Sequence, residues 1–144
     1  LNRINFEELS LTNGLAINMG NPHVVFFVKD INDIDINRVG PLVENSSLFP
    51  EKVNVEICQI INRKQIKVIV WERGAGKTLA CGSGACAALV AAYKNNLTDP
   101  TAEIILSGGS LNITWNISSN EHVIMSGPIA VSFLGDFSTL GIEK

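Results

Sequence analysis

One cysteine stands in a glycine-rich segment, immediately before a predicted helix. The segment from Trp71 to Cys86 reads Trp-Glu-Arg-Gly-Ala-Gly-Lys-Thr-Leu-Ala-Cys-Gly-Ser-Gly-Ala-Cys. Amide groups in the first turn of a helix have no carbonyl partner inside the helix, and they attract anions such as a carboxylate. The same partial positive charge lowers the pKa of a cysteine at that position. Cys81 is therefore a candidate for a reactive thiol with a lowered pKa.

The other two cysteines have simpler interpretations. Cys58 falls on a predicted strand and Cys86 inside an apolar helix, where free cysteines commonly pack as inert residues. An odd number of cysteines, with no apolar signal region at the N-terminus, indicates reduced thiols and a cytoplasmic protein. Spacing alone leaves two interpretations open for Cys81, a reactive thiol or another packed one.

Polar residues that could assist a thiol or bind a ligand occur at the ends of predicted strands. Gly20-Asn21-Pro22-His23 predicts a turn between two strands, and Asn54 follows Phe49-Pro50-Glu51-Lys52-Val53 at the entrance of another. A third strand ends in Glu72 and Arg73. An asparagine offers both a donor and an acceptor to a polar ligand. Taken alone, each of these signals is weak.

Two other patterns in the same region are excluded. Gly76-Lys77-Thr78 would belong to a phosphate-binding loop only with a glycine five positions before the Gly-Lys pair, where the chain has Trp71. Cys81 and Cys86 lack a second ligand pair at metal-binding spacing, so no metal site is predicted.

Hydrophobic periodicity predicts that most of the chain forms strands. Val24–Val28 and Val53–Ile61 are β-rich runs of strand length. Three further stretches alternate apolar and polar residues, with the apolar positions Ile66, Val68 and Val70, then Leu111, Ile113 and Trp115, then Ile129, Val131 and Phe133. The predicted breaks between strands are Asn13-Gly14, Asp99-Pro100 and Gly108-Gly109.

Two helices complete the predicted fold. Asp35 to Glu44 predicts a short surface helix, interrupted by Gly40-Pro41. The eight residues from Ala85 to Ala92 are all apolar, and a helix that is apolar on every side has to be buried. We therefore expect one α+β domain over residues 1–144, with a strongly curved, mostly antiparallel sheet wrapped around a central helix.

Composition excludes several classes of function. The 144 residues carry a net charge of −3, and their lysines and arginines are scattered, so no nucleic-acid interface is predicted. No apolar run approaches the roughly 20 residues that a membrane-spanning helix needs. The first residue is Leu1, so we expect a chain that was processed or that begins inside a longer gene product.

Several segments resemble the diaminopimelate epimerase family, and they fall in the family's order. They are Met19-Gly20-Asn21-Pro22-His23, Phe49-Pro50-Glu51-Lys52-Val53-Asn54, Trp71-Glu72-Arg73-Gly74-Ala75-Gly76, Ala80-Cys81-Gly82-Ser83-Gly84-Ala85-Cys86 and Ser126-Gly127-Pro128. The resemblance implies two pseudo-symmetric domains with an active site in the cleft between them. It also implies interconversion of LL- and meso-diaminopimelate in bacterial lysine and peptidoglycan synthesis, without cofactor or metal.

The resemblance also implies roles for particular residues. Cys81 corresponds to one of two catalytic acid/base thiols, and His23 and Glu72 to residues that assist the ionisation of the two thiols; which of them serves which thiol stays open. The implied substrate-binding positions are Asn21, Asn54, Glu72, Arg73 and the amides of Gly82 and Ser83.

The chain departs from the family pattern in two places. Lys77 stands where many family members have glutamate, which is a tolerable change in a loop. The family's first catalytic cysteine and its N-terminal domain have no equivalent here. We therefore expect a C-terminal half that is inactive alone and whose partner is the missing N-terminal domain. The oligomeric state stays open, with a homodimer of the full-length enzyme as one alternative.

Two other functions remain as alternatives from different classes. One is an acyl-transfer enzyme with Cys81 as nucleophile and His23 as base, which would form a covalent thioester. The other is a binding domain without catalysis, in which Cys81 has an ordinary thiol pKa near 8.5.

Overall fold

The computed structural model describes residues 3–118 and 122–135, and these form one nine-stranded sheet with two α-helices. Short 3-10 turns lie at Glu7–Leu9 and Ile31–Asp33. The longer elements are β1 (Arg3–Phe6), β2 (Leu11–Asn18), β3 (Pro22–Val28), α1 (Ile36–Glu44), β4 (Asn54–Asn62), β5 (Gln65–Glu72), β6 (Gly76–Thr78), α2 (Gly82–Lys94), β7 (Thr101–Leu106), β8 (Gly109–Asn116) and β9 (His122–Ser126).

The sheet is mostly antiparallel, as predicted, and among the described residues it does not close on itself. Its strand order is β1-β2-β3-β4-β5-β7-β8-β9, with β6 paired to β5. Six of the eight strand pairs are antiparallel, and the parallel pairs are β3–β4 and β5–β7. Parallel neighbours need a crossover connection, and the two crossovers contain the two helices, α1 and α2.

The central helix α2 lies against the concave side of the sheet. It contacts β2, β3, β4, β5, β7, β8 and β9. Every residue from Gly84 to Ala92 is buried, as the apolar run predicted, and the small side chains allow the strands to approach closely. Among the described residues, neither α2 nor any other helix is long and apolar enough to cross a bilayer.

The second helix, α1, packs on the opposite face of the sheet. Val39 and Val43 of α1 belong to one core cluster with Phe26 and Val55, whereas α2 shares its cluster with Val25. Because side chains alternate across a strand, the middle strands are apolar on both faces, which explains their continuous hydrophobic runs. The helix begins as predicted, after Asp35, whose side chain accepts the Asn37 amide proton at 3.0 Å.

Three predicted features are wrong. Gly40-Pro41 does not interrupt the helix, because α1 runs unbroken from Ile36 to Glu44 with Pro41 inside it, and Gly40 is buried against the ring of Trp71. Asn13-Gly14 is not a break, because both residues lie inside β2. Asn13 adopts a φ of 59°, and a side chain on Gly14 would overlap the ring of Phe26, so this glycine is needed for packing. The alternating residues after Gly127 form no strand, since residues 127–135 have no regular structure, and Ile129 and Phe133 are 96% and 84% exposed. Alternation alone does not make a strand where no neighbouring strand pairs with it.

Candidate active site

Cys81 is the residue that caps the first turn of α2. Its backbone is extended, with φ −138° and ψ 113°, and its sulfur accepts the Gly84 amide proton at 3.3 Å. Serine, threonine, aspartate and asparagine are the usual residues at this position, and sulfur is a weaker acceptor than their oxygen atoms. Capping therefore does not explain the choice of cysteine. The thiol lies at the start of the buried helix, where the sequence predicted it.

The pKa of the Cys81 thiol is raised, so the predicted lowering is wrong. Burial is the largest cause, because the residue is only 7% exposed and the thiolate is poorly solvated there. Hydrogen bonds from Ser83 and the Gly84 amide lower the pKa, while the nearby carboxylates of Glu72 and Glu56 raise it further. Burial outweighs the effect of the helix start, and the resting form of Cys81 in this chain is the neutral thiol.

Asn21 and Ser83 connect His23 to this thiol. The Asn21 side-chain amide donates to Ser83 Oγ at 3.3 Å, and Ser83 Oγ lies 3.6 Å from the sulfur of Cys81. The oxygen of the same Asn21 amide lies 3.0 Å from His23 Nε2. The structure thus brings together four of the residues singled out in the sequence. His23, the last residue of the predicted turn, lies in β3, and it is 1% exposed.

A buried glutamate that sequence reasoning missed completes this group. Glu56 lies in β4, is 0% exposed, and places its Oε1 atom 2.6 Å from His23 Nδ1. Burial raises the pKa of its carboxyl, and the contact with His23 opposes that rise. One signal could have found it, since Glu56 is the single charged residue between Lys52 and Arg63, in a strand that is otherwise largely apolar.

The remaining predicted residues form a second group at the neighbouring strand ends. Asn54 donates to the Pro22 carbonyl at 2.9 Å and accepts the Arg73 amide proton at 2.9 Å. The Arg73 guanidinium donates to the Glu51 carbonyl at 2.9 Å. Asn54 therefore ties two loops together. Because Asn54 pairs with His23 in the β3–β4 register, the two groups are adjacent in the sheet.

Glu72 is held at the end of β5. Its Oε1 atom accepts the hydroxyl proton of Thr78, at 2.5 Å, from the paired strand β6. Gly76-Lys77-Thr78 is thus a short strand, which agrees with the exclusion of a phosphate-binding loop. The carboxylate of Glu72 is close enough to Cys81 to raise the pKa of its thiol.

A second buried carboxylate, that of Glu44, anchors the loop that follows β5. Glu44 accepts the indole proton of Trp71 at 2.7 Å and the Gly74 amide proton at 3.1 Å. The hydrogen bond from Trp71 is the main reason that the pKa of Glu44 is lowered. Arg73 lies between Trp71 and Gly74, so Glu44 fixes the backbone on both sides of it.

The other cysteines are buried, as predicted. Cys58 lies in β4 and Cys86 in α2, and burial raises the pKa of both thiols. Within residues 3–118 and 122–135, no group of three or more His, Cys, Asp or Glu side chains is placed to hold a metal ion.

Comparison with known proteins identifies one family. The family described as diaminopimelate epimerase matches residues 15–131. The chain is 49% identical over 123 residues to a diaminopimelate epimerase of Methylocella silvestris, covering 85% of this chain and 42% of the relative. It is 52% identical over 117 residues to one of Pelagibacter ubique, covering 81% and 42%. The chain therefore spans less than half the length of these curated relatives.

Solved structures with low sequence identity support the fold. A phenazine biosynthesis protein of the PhzF family from Bacillus anthracis superposes with a TM-score of 0.52 at 14% identity, covering 78% of this chain and 37% of that one. A phenazine biosynthesis PhzC/PhzF protein from Clostridium difficile gives a TM-score of 0.50 at 14% identity, covering 67% and 35%. At these identities the likeness concerns the fold alone.

Proposed function

The chain belongs to the diaminopimelate epimerase family, and from this premise we propose that it forms one side of the active site of an epimerase that interconverts LL- and meso-diaminopimelate. The proposed setting is lysine and peptidoglycan-precursor synthesis in the bacterial cytoplasm. The observation that carries the proposal is the position of Cys81, whose sulfur lies at the first turn of α2 beside a polar group of Ser83, Asn21 and His23.

Inversion at an α-carbon needs a base on one face and an acid on the other. In one direction the Cys81 thiolate removes the α-proton, and an opposing thiol delivers its own proton to the other face. Cys81 ends as a thiol and the opposing residue as a thiolate, and the reverse reaction exchanges these roles. We propose that the opposing thiol comes from the part of the protein that corresponds to the rest of the relatives' length. Every step uses protein groups, so the proposed reaction takes no cofactor or metal.

The start of α2 offers a place for the substrate carboxylate. The first amide groups of a helix, here those of Gly82 and Ser83, have no carbonyl partner inside the helix. They can donate to the α-carboxylate, onto which negative charge spreads when the α-proton leaves. Donors that are already oriented toward developing charge are typically worth about 10²–10³-fold in rate for each donor.

The raised pKa of Cys81 is consistent with a role as the acid. A raised pKa means that the thiol holds its proton at neutral pH, so Cys81 is poised to act as the acid. To act as the base it has to lose that proton first. We propose that Glu72 and His23 assist the ionisation of the two thiols of the full site, as the family pattern implies, without assigning either residue to Cys81.

The second polar group is suited to the distal end of the substrate. The guanidinium of Arg73 uses one nitrogen for the Glu51 carbonyl, and a guanidinium carries five N–H donors. We propose that its remaining donors bind the distal carboxylate of diaminopimelate. Asn54 and Glu44 would then act indirectly, because they hold the backbone on either side of Arg73.

Isotope exchange in the gene product that contains this chain together with the complementary domain tests the function. In D₂O, an epimerase incorporates deuterium at the α-carbon of diaminopimelate and interconverts the stereoisomers. We expect Cys81→Ala to lower epimerisation by at least about 10²-fold, the usual contribution of a proton-transfer group. Cys86→Ala, on the same helix among alanines, is the matched control and should keep most of the activity. Near-native rates in the Cys81 variant would reject the assignment.

The geometry disfavours the acyl-transfer alternative. An acyl transferase needs a base beside its nucleophile, but the ring nitrogens of His23 lie against Glu56 and Asn21. A covalent adduct on Cys81 without deuterium exchange would nevertheless favour acyl transfer. A binding domain without catalysis predicts neither exchange nor adduct.

A further inference from the structure

His23 and Glu56 form a buried pair that reaches the thiol through two other side chains. Their contact measures 2.6 Å between Nδ1 and Oε1, and both side chains are fully shielded from solvent. The pair lies on neighbouring parallel strands, β3 and β4, on the side of the sheet that faces α2. Apolar packing alone would not place two ionisable groups here.

The second oxygen of Glu56 indicates the charge of the pair. Among the described residues, Oε2 of Glu56 has no hydrogen-bond partner, although it is buried. A buried ionised oxygen without a partner is strongly unfavourable, and ionisable groups in such places usually become neutral, alone or as a pair. A His23–Glu56 pair without net charge therefore fits this environment better than a pair with a net negative charge.

The hydrogen bonds around Asn21 independently indicate that the His23–Glu56 pair has no net charge. The Asn21 Nδ2 group donates to Ser83, so its carbonyl oxygen is the atom that faces His23 Nε2. A carbonyl oxygen only accepts, so Nε2 must carry a proton. The contact between Nδ1 and Oε1 then needs a second proton, because two bare acceptors would repel each other. Two protons on these two residues make the pair neutral overall.

These protons direct a chain of donors toward the sulfur. His23 Nε2 donates to Asn21, Asn21 donates to Ser83, and the hydroxyl proton of Ser83 is left to point at the Cys81 sulfur 3.6 Å away. The sulfur thus receives two donors, Ser83 and the Gly84 amide. Both favour the thiolate.

We propose that Glu56 is a positioning residue: it keeps the His23–Glu56 pair doubly protonated and neutral, and so orients Asn21 and Ser83 as donors toward Cys81. The inference rests on the proposed function only for the reason that a stabilised thiolate would matter. The hydrogen bonds from which it is argued do not depend on that function. With only one proton on the pair, Nε2 would accept, the Asn21 amide would turn over, and Ser83 would donate away from the sulfur.

Nuclear magnetic resonance of the histidine ring tests the proton count directly. The chain has two histidines, and His122→Gln leaves His23 alone. In the chain labelled with ¹⁵N-histidine, we expect Nε2 of His23 to carry a proton at neutral pH. An unprotonated Nε2 would overturn the proposal. This measurement needs no change at Glu56, so it stands even if variants at that position fail to fold.

Two variants at position 56 test the positioning role by the rate at which iodoacetamide alkylates Cys81 across pH. In Glu56→Gln the new side-chain amide can donate a proton to Nδ1 and keep Nε2 protonated, so we expect rates within about twofold of the native chain. Glu56→Val removes the partner and frees the ring. We expect it to slow alkylation near neutral pH by roughly tenfold, the effect of one pKa unit. Glu72 and Cys86, the other titratable groups that act on or near this thiol, are unchanged in both variants.

Each other outcome contradicts the proposal. Faster alkylation in both variants would mean that Glu56 places a net negative charge beside the thiol. Equal slowing in both would mean that the carboxylate charge matters and the donor chain does not. Neither measurement involves turnover, so an active Cys81→Ala enzyme would reject the proposed function and leave this inference standing.

Discussion

The indole nitrogen of Trp71 donates to the carboxylate of Glu44 at 2.7 Å, and this hydrogen bond joins the end of β5 to the last residue of α1. The same carboxylate accepts the amide proton of Gly74, so one buried side chain fixes the loop that contains Arg73. The loop's conformation is therefore set from the face of the sheet opposite α2. The role of Glu44 can therefore be tested separately from the chemistry at Cys81.

Replacing Glu44 by glutamine should destabilise the chain and change how its stability depends on pH. Hydrogen bonds to a charged group contribute about 1.5–3 kcal/mol each, and glutamine keeps the shape but not the charge. The pKa of Glu44 is lowered in the folded state, chiefly by Trp71. Its stabilisation is therefore full above the ordinary glutamate pKa of about 4.3 and is lost as pH falls through the lower folded value. Urea unfolding at several pH values measures both effects, and an unchanged acid dependence in the variant would contradict them.

Gly40 tests the packing of the same tryptophan. A side chain on Gly40 would overlap the ring of Trp71, close to its junction with the backbone. Alanine in a helix is favoured over glycine by about 1 kcal/mol. An overpacked core contact typically costs about 1–3 kcal/mol, which exceeds the gain in helix propensity. Gly40→Ala should therefore lower the thermal midpoint of unfolding. A raised midpoint would show that Trp71 moves aside easily.

The fold was predictable where a single physical requirement acted on a long stretch. The run from Ala85 to Ala92 predicted a buried helix because no surface position tolerates eight apolar residues in succession. The break predicted at Asn13-Gly14 was wrong because a glycine does not always mark a turn. Gly14 makes room for the ring of Phe26, which lies in another strand. The stretch from Ile129 to Phe133 misled because a strand needs a neighbour, which local periodicity does not reveal.

The site was predictable where residues are close in sequence, and less so where they meet through the sheet. Cys81, Gly82 and Ser83 are adjacent, so their place at a helix start followed from the glycine-rich pattern. Glu56 was not predicted as a site residue because a lone glutamate in a strand usually lies on the exposed face. Only the parallel pairing of β3 with β4 brings Glu56 next to His23. The pKa of Cys81 was predicted in the wrong direction because burial cannot be read from the glycines around it.

Gly84 should resist substitution for a reason unrelated to backbone flexibility. A side-chain carbon on Gly84 would lie 2.8 Å from Glu56 Oε1 and 3.3 Å from the Cys81 sulfur. Gly84→Ala should therefore destabilise the chain by about 1–3 kcal/mol and change the alkylation rate of Cys81. Gly82→Ala is a matched control in the same turn, because its nearest neighbour is the flexible end of Met125 at 3.1 Å. Equal effects at both positions in thermal unfolding would argue against a specific role of the Glu56 contact.

The raised pKa of Cys81 predicts slow alkylation of the isolated chain at neutral pH. Iodoacetamide reacts with the thiolate, so the rate should rise with a midpoint above the ordinary cysteine pKa of about 8.5. Mass spectrometry of the labelled peptides distinguishes Cys81 from Cys58, whose pKa burial raises well above the usual value. Unfolding in denaturant should equalise the two rates. A midpoint below that of the unfolded chain would mean that the helix start outweighs burial.

The purified 144-residue chain should not invert diaminopimelate by itself. With one thiol at the site, a proton removed by Cys81 can return only to the face it left. In D₂O, LL-diaminopimelate that gains deuterium should therefore remain LL, and chiral chromatography with mass detection separates this result from inversion. Mixing the chain with the domain that corresponds to the rest of its relatives should produce labelled meso-diaminopimelate. Formation of the meso isomer by the chain alone, abolished by Cys81→Ala, would mean that a second acid lies within these residues and that the two-thiol proposal is wrong.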